Sequence, residues 1–165
     1  MLRGAAAATV AALLAGAGHA IEAAHAAEHV VFFGKRPEHL GLRAGKLAPC
    51  PSSPNCVSSQ ADPSDSVHYV APIAFDGEPA AAMAAVRAAI EATPGATIVR
   101  EEADYLHAEF RTRVLRFVDD VEFAFDAGAR VIHVRSASRV GWSDLGANRR
   151  RVEALRARIE TPKRT

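Results

Sequence analysis

The spacing of apolar residues along the chain predicts two helices, one on each side of a group of strands. Residues 78–92 carry apolar side chains at intervals of three and four, Pro79 stands near the start, and Thr93-Pro94-Gly95 follows the end. Residues 145–160 repeat the pattern. The apolar stripes of the two helices are Met83, Val86 and Ile90 in the first and Val152, Leu155 and Ile159 in the second.

Between these helices, four runs of residues alternate between apolar and polar, as strands do when one face of a sheet is buried. They cover 97–102, 105–113, 115–126 and 130–138, and an earlier strand near 67–73 is expected to join them. Short connections indicate antiparallel neighbours. The predicted fold class is α+β, with a single antiparallel sheet of four to five strands and two helices packed on one face.

Alternation within 115–126 assigns the two faces of that strand. Its odd positions are apolar except for Asp119, so they are predicted to form the core, while the even positions, including Asp120, are predicted to face solvent. An unpaired carboxylate in the core would be costly, so Asp119 is predicted to be buried and hydrogen-bonded. A β-bulge at this point would put Asp120 inside instead. The expected partners of Asp119 are Asn148, Arg151, Arg139 or Ser138.

The amino-terminal residues have the order of a secretory signal peptide. An arginine near the start is followed by a short Ala-rich apolar run and then by small residues suited to cleavage. We interpret 1–20 as a signal peptide, 21–45 as a tether and 46–160 as the folded domain of this 165-residue chain. The protein is therefore expected to be periplasmic or otherwise exported. Membrane contact is expected only through the N-terminal segment, if that segment is not cleaved.

Both cysteines of the chain, Cys50 and Cys56, lie in one loop with two prolines between them. In an oxidising compartment, two cysteines this close most simply form a disulfide. Closing so short a loop should contribute roughly 2 kcal/mol. The alternatives are a redox pair, although the spacing is not C-x-x-C, and half of a metal site, although partner ligands are not evident.

One motif in the tether matches a metal-binding pattern. His25, Glu28 and His29 fit the H-x-x-E-H arrangement of inverted zinc peptidases. A zinc site would also need a third protein ligand and a water for the glutamate to activate. No further ligands are evident in this segment, so we interpret it as a solvated tether, and neither a metal nor a cofactor is predicted.

Three stretches of the sequence resemble DUF1499, a family of unknown function that occurs in bacteria and plastids. They are LAPCPSSPNCVSS at 47–59, RFVDDVEF at 116–123 and RSASRVGWSDLGANRRRV at 135–152. Together with YLHAE at 105–109, the resemblance covers about residues 40–158. Trp142 stands where a tyrosine is expected in many relatives. The resemblance implies the extent of a domain, and it implies no activity.

The segment 136–151 is rich in groups that bind anions, and a glycine-bearing turn precedes the last helix there. Backbone N–H groups at a helix N-terminus favour anions. The predicted function is therefore a binding or interaction module for a small anionic ligand or a protein partner. A structural network that caps the helix and satisfies Asp119 is the alternative for the same residues. The predicted ligand-binding residues are Asp119, Ser136, Ser138, Arg139, Asn148 and Arg151.

A hydrolase is the rival function. It would need a serine nucleophile, a histidine base and a carboxylate within hydrogen-bond reach of one another. Alternation places His107 and His133 on the opposite face of the sheet from Ser136, Ser138 and Asp119. That separation disfavours a triad, so the sequence leans away from an enzyme.

Nucleic acid is not an expected partner. The chain has 20 basic and 19 acidic side chains, a net charge of +1, so it offers no bulk attraction to phosphates. The consecutive arginines at 149–151 are a weak signal by themselves.

Overall fold

The structure, a computed structural model, describes residues 34–160. The interpretations of 1–20 as a signal peptide, of 21–33 as part of a tether and of the H-x-x-E-H motif concern residues outside this range. In chain order the elements are β1 (Cys56–Ser58), β2 (Ile73–Ala74), α1 (Pro79–Glu91), β3 (Ala96–Glu101), β4 (Tyr105–Arg111), β5 (Val118–Asp126), β6 (Val131–Ser138) and α2 (Ala147–Glu160). Neither of these helices is long and apolar enough to cross a membrane.

The strands form one antiparallel sheet in the order β1-β6-β5-β4-β3, and β2 also pairs with β6. The predicted α+β class with a single antiparallel sheet is confirmed. The sheet has six strands because two short segments, β1 and β2, both pair with β6. Strands of three and two residues are too short for alternation to reveal them. The strand expected near 67–73 is present only at its end, as Ile73–Ala74.

Both helices pack on one face of the sheet and enclose the main core. Helix α1 buries Val86 and Ile90, and α2 buries Val152 and Leu155. Their apolar stripes meet the inward positions of the strands, which confirms the predicted core face. The buried strand residues of this core are Val57, Ile73, Leu106, Ala108, Phe110, Val121, Phe123, Ile132 and Val134.

The loop that precedes β1 contains the predicted disulfide. Cys50 and Cys56 are bonded to each other, and their Cα atoms lie 5.6 Å apart. The bridge leads directly into β1, so it fixes the chain at the point where it joins the sheet edge.

The second face of the sheet is also covered, by residues 34–47, which we call the strap. The backbone N–H of Gly41 donates to Oε1 of Glu122 at 2.8 Å, and Leu42 and Leu47 pack with Tyr105 and Ala124. The prediction that even positions of β5 face solvent is therefore wrong. Alternation separates two faces of a strand, but it does not show whether a distant segment covers the second face. Residues 34–45 fall in the range that we interpreted as a tether.

The start of β5 also differs from the prediction. The strand begins at Val118, so Leu115 and Phe117 lie in the loop before it and are exposed. The prediction that these two residues lie in the core is wrong. The alternation of apolar residues at odd positions extends into the loop before Val118, where the chain no longer belongs to the sheet. Asp119 is the first odd position that the sheet contains, and it is buried.

Candidate functional site

Five of the six predicted ligand-binding residues meet where the start of α2 packs on the sheet, and we call them the helix-side cluster. They are Asp119, Ser136, Ser138, Asn148 and Arg151. Asp119 on β5 and Ser136 and Ser138 on β6 lie on the helix-covered face, because Asp119 is paired with Ser138 and Val121 with Ser136. Asn148 and Arg151 are one turn apart on α2. The buried carboxylate of Asp119 forms a short ion pair with the guanidinium of Arg151. The prediction that Asp119 is buried and bonded to one of these partners is confirmed.

Hydrogen bonds join the remaining members of this cluster. Nη1 of Arg151 donates to Oδ1 of Asn148 at 2.6 Å and to Oγ of Ser136 at 3.1 Å. Nδ2 of Asn148 donates to Oγ of Ser138 and to the carbonyl of Asn55, both at 2.9 Å. The network thus holds the start of α2 against β6 and the loop before β1. Most of its polar groups are hydrogen-bonded to one another, and these bonds mainly fix the position of the Arg151 side chain.

Arg139, the sixth predicted residue, lies on the other face of the sheet. It follows Ser138 directly, and successive residues of a strand point to opposite faces. Its guanidinium donates to both oxygens of Asp120, at 2.8 and 2.7 Å, and to Oε1 of Glu109 at 2.6 Å. The grouping of Arg139 with the other five residues is therefore wrong.

Beneath the strap, Arg139 belongs to a layer of buried charged groups, which we call the charge layer. His107 Nε2 lies 2.8 Å from Oδ1 of Asp120, and Arg135 Nη1 donates to Glu122 at 3.2 Å. The Tyr105 hydroxyl also donates to Glu122, at 2.7 Å. The strap contributes Arg36, which pairs with Glu109. The layer consists of the largely buried residues Tyr105, His107, Glu109, Asp120, Glu122, Arg135 and Arg139, together with the exposed Arg36 of the strap.

The arginines of this layer keep the carboxylates of Asp120 and Glu109 ionised. Burial acts to raise the pKa of Asp120, but the bonds from Arg139 and His107 outweigh it and hold that pKa below its usual value. Burial opposes the arginines at Glu109 too, and the bonds from Arg36 and Arg139 lower the pKa of its carboxyl. Burial and the adjacent Glu122 carboxylate raise the pKa of Tyr105, so its hydroxyl stays protonated.

The residues considered for a catalytic triad lie on opposite faces, as alternation predicted. His107 is in the charge layer, whereas Ser136 is in the helix-side cluster. His133 Nδ1 instead lies 3.2 Å from the hydroxyl of Ser59, a pair that sequence reasoning missed because Ser59 lies just beyond a three-residue strand. Within 34–160 the structure shows no carboxylate bonded to His133, so this pair lacks the group that would orient a general base.

A basic cavity of about 350 Å³ opens beside the helix-side cluster. We call it the arginine pocket. Four of its lining residues are arginines, two are threonines and none is acidic. Three separate segments build it, namely the turn after α1, the end of β4 and one side of α2. The lining residues are Thr93, Pro94, Phe110, Arg111, Thr112, Ala147, Arg150, Arg151, Ala154, Leu155 and Arg158.

The four arginines of the pocket differ in how their charge is balanced. Arg151 lies over the Phe110 ring, 5.2 Å from its centroid, and is paired with Asp119. Arg111 has Glu109 at 3.7 Å. Arg150 and Arg158 donate to neutral oxygens, the first to the Leu145 carbonyl at 2.8 Å and the second to Oγ1 of Thr93 at 2.8 Å. No ion pair of the described residues involves either of these two, so the pocket carries net positive charge.

A larger cavity of about 640 Å³ lies beside the disulfide, and its lining has mixed charge. Lys46 faces it together with Asp62, Asp65 and His68. The N–H of Ser64 lowers the pKa of Asp62, and a bond to His68, at 2.7 Å, lowers that of Asp65. Its acidic groups are thus ionised and disfavour an anion. No group of three or more metal-ligating side chains occurs anywhere between residues 34 and 160.

Comparison with protein-family models identifies a family for this chain. A protein-family model described as "Protein of unknown function (DUF1499)" matches residues 46–159, more than half of the chain. No curated protein matches the chain. The family match confirms the resemblance carried by the three sequence motifs. It includes every strand, almost all of both helices and the whole lining of the arginine pocket.

Proposed function

Since the chain belongs to the DUF1499 family, whose description names no activity, we propose from geometry alone that it is a binding module for a small anionic ligand. The observation that carries the proposal is the arginine pocket, whose lining includes four arginines and no acidic side chain. The disulfide supports the expected oxidising, exported setting for this module.

The chemistry of the lining indicates a ligand with a carboxylate or phosphate on a small organic body. A guanidinium presents N–H donors in a planar fork that matches both anions. Thr93 and Thr112 add hydroxyl groups, and the exposed Pro94 and Ala154 provide apolar surface for the rest of the ligand. A volume of about 350 Å³ is that of a small-molecule site.

The helix-side cluster has a supporting role in this proposal. The hydrogen bonds that Arg151 donates to Asp119, Ser136 and Asn148 hold its side chain in the pocket wall before any ligand arrives. Such preorganisation reduces the ordering cost of binding. The same bonds engage Ser136, the serine that a hydrolase would need as a nucleophile, so the geometry favours binding over hydrolysis.

Calorimetric titration of the full chain with citrate and with inorganic phosphate, at constant ionic strength, tests the proposal. Saturable binding of at least one anion is expected. Arg150→Gln combined with Arg158→Gln should weaken it by about tenfold or more, because each hydrogen bond to a charged group contributes about 1.5–3 kcal/mol. The matched control, Arg43→Gln with Arg130→Gln, removes the same charge at exposed positions outside the pocket.

Two results would overturn the proposal. One is the absence of saturable binding by either anion, and the other is equal weakening in the pocket and control variants. Turnover of p-nitrophenyl esters that is lost in Ser59→Ala or Ser136→Ala would favour the hydrolase instead. Thermal unfolding of each variant checks that the fold is intact.

A further inference from the structure

Five large apolar side chains protrude from two loops of the structure. Val114 and Leu145 are each 85% exposed and Trp142 is 70% exposed. The other large apolar residues that are exposed within 34–160 are Val67 and Val99, which lie outside these two loops. We call the protruding group the apolar tip. It consists of Val114, Leu115 and Phe117 in loop 112–117 and of Trp142 and Leu145 in loop 139–146.

Sheet pairing brings the two loops together. The first loop joins β4 to β5 at the pair Arg111–Val118, and the second leaves β6 just beyond the pair Asp119–Ser138. The N–H of Arg139 also donates to the carbonyl of Val118, at 3.2 Å. Both loops therefore leave the same end of the sheet, although they are more than 20 residues apart in the chain.

Hydrogen bonds hold both loops in shape. The N–H of Thr112 donates to the carbonyl of Phe117, and the N–H of Phe117 donates to Oγ1 of Thr112, both at 2.9 Å. In the second loop, the carbonyl of Gly141 accepts a bond from Nδ2 of Asn55 at 2.7 Å. The apolar side chains are therefore exposed on loops whose backbone is held by hydrogen bonds.

The surroundings of the tip are basic. Loop 112–117 contains two exposed arginines, Arg113 and Arg116, and no acidic residue. Arg150 lies just beyond the second loop and is exposed as well. The acidic residue in loop 139–146 is Asp144, and its carboxylate caps α2 by accepting the N–H groups of Gly146 and Asn148 at 2.9 and 2.6 Å.

We propose that the apolar tip docks on the surface of an anionic lipid bilayer. Aliphatic side chains and a tryptophan suit the boundary between headgroups and acyl chains, and the neighbouring arginines suit lipid phosphates. A second copy of the chain is a poorer occupant, because a two-fold interface would place one set of arginines against the same set. This contact is separate from the membrane contact that the sequence suggested for the N-terminal segment, and it does not depend on an occupied arginine pocket.

The chain contains one tryptophan, Trp142, so its fluorescence reports on the tip alone. The full chain is titrated with vesicles of phosphatidylcholine that contain phosphatidylglycerol, and with vesicles of phosphatidylcholine only. The expected result with the anionic vesicles is a blue shift of the emission, together with quenching when the acyl chains are brominated. The vesicles without phosphatidylglycerol should give a much smaller response.

Matched variants distinguish insertion of the apolar tip from nonspecific association with vesicles. Val114→Ser with Leu145→Ser should reduce vesicle partitioning by about tenfold or more, because two exposed apolar side chains are removed. The control pair Val67→Ser with Val99→Ser changes exposed apolar residues outside the two tip loops and should leave partitioning unchanged. Arg113→Gln with Arg116→Gln should lower partitioning into anionic vesicles and abolish most of their advantage over neutral ones.

An unshifted Trp142 emission with anionic vesicles would overturn the proposal, even if the chain sediments with the vesicles through another segment. Equal responses to anionic and neutral vesicles would overturn its electrostatic part. A blue shift that grows with protein concentration in the absence of lipid would assign the tip to self-association. None of the tip variants changes a residue that lines the arginine pocket. A failure of the membrane proposal therefore does not bear on the anion titration that tests the proposed function.

Discussion

Asp119 and Asp120 are neighbours in the chain, and their carboxylates lie on opposite faces of the sheet. Asp119 pairs with Arg151 beneath α2, whereas Asp120 pairs with His107 and Arg139 beneath the strap. Both residues are almost completely buried. A buried carboxylate is tolerated when it is paired and hydrogen-bonded, so each aspartate depends on partners from a distant part of the chain.

Removal of the Asp119 carboxylate should be strongly destabilising. Asp119→Ala leaves the Arg151 guanidinium largely buried without its counter-ion, which is expected to cost about 3–5 kcal/mol. The free energy of unfolding in urea measures the effect. Asp119→Ala with Arg151→Met should recover part of the loss, while Asp76→Ala at an exposed site should change stability by less than about 0.5 kcal/mol. Parent-like stability of Asp119→Ala would show that the pair contributes nothing.

Asp120 should make stability depend on pH in the acid range. Its folded pKa lies below the ordinary value of about 3.9, so the stability it contributes is complete above that value and is lost as pH falls through the folded pKa. The difference in unfolding free energy between the parent and Asp120→Asn should therefore be largest near neutral pH and shrink below about pH 4. Urea unfolding at a series of pH values measures it. A difference that is constant from pH 7 to pH 2 would contradict the assignment.

At the scale of elements, the strap gives the sheet its second buried face. Gly41 donates to a Glu122 carboxylate that lies 81 residues later in the chain. Arg36 pairs with Glu109, and Leu42 packs against the small cluster around Tyr105. The strap thereby excludes water from one side of the charge layer.

A chain that begins at residue 46 should be less stable than one that begins at residue 34. The shorter chain loses the backbone bond to Glu122 and the contacts of Leu42, a loss of about 2 kcal/mol or more. Urea unfolding of 34–165 and 46–165 compares the two. Arg36→Ala in the longer chain is the control, because its pair is half-exposed and should contribute at most about 1 kcal/mol. Equal free energies of unfolding for the two chains would mean that residues 34–45 do not stabilise the fold.

The elements themselves were largely predictable. Both helices and the four long strands start and end within three residues of the predicted positions. Each carries a periodic pattern long enough to be recognised. The short strands β1 and β2 carry no such pattern, because pairing with β6 determines them.

At the scale of the whole molecule, both proposed surfaces arise from convergence of separate segments. The arginine pocket draws on residues 93–94, 110–112 and 147–158, and the apolar tip draws on two loops joined by the pairing of β5 with its neighbours. None of these segments forms the pocket or the tip by itself. The pocket appears only when α2 and the turn after α1 pack beside the end of β4, and the tip appears only when antiparallel pairing aligns the ends of β4, β5 and β6.

The sequence by itself determined whatever depends on neighbouring residues. Alternation along β5 and β6 placed Asp119 with Ser136 and opposite His107, and a five-residue spacing identified the Cys50–Cys56 disulfide. Local backbone geometry dictates these relations, so they can be read without the fold.

Tertiary structure alone decided whether the second face of the sheet would be covered, and by what. In sequence, Asp120 and Glu122 have the pattern of solvent-facing residues, and Arg139 has that of an anion ligand. A strap that lies about 80 residues earlier in the chain buries the two carboxylates, and Arg139 lies with them in ion pairs. Burial of a charge depends on partners that the topology supplies. A periodic pattern therefore indicates whether one face of a strand is polar or apolar, while only the folded chain shows whether that face is exposed to solvent.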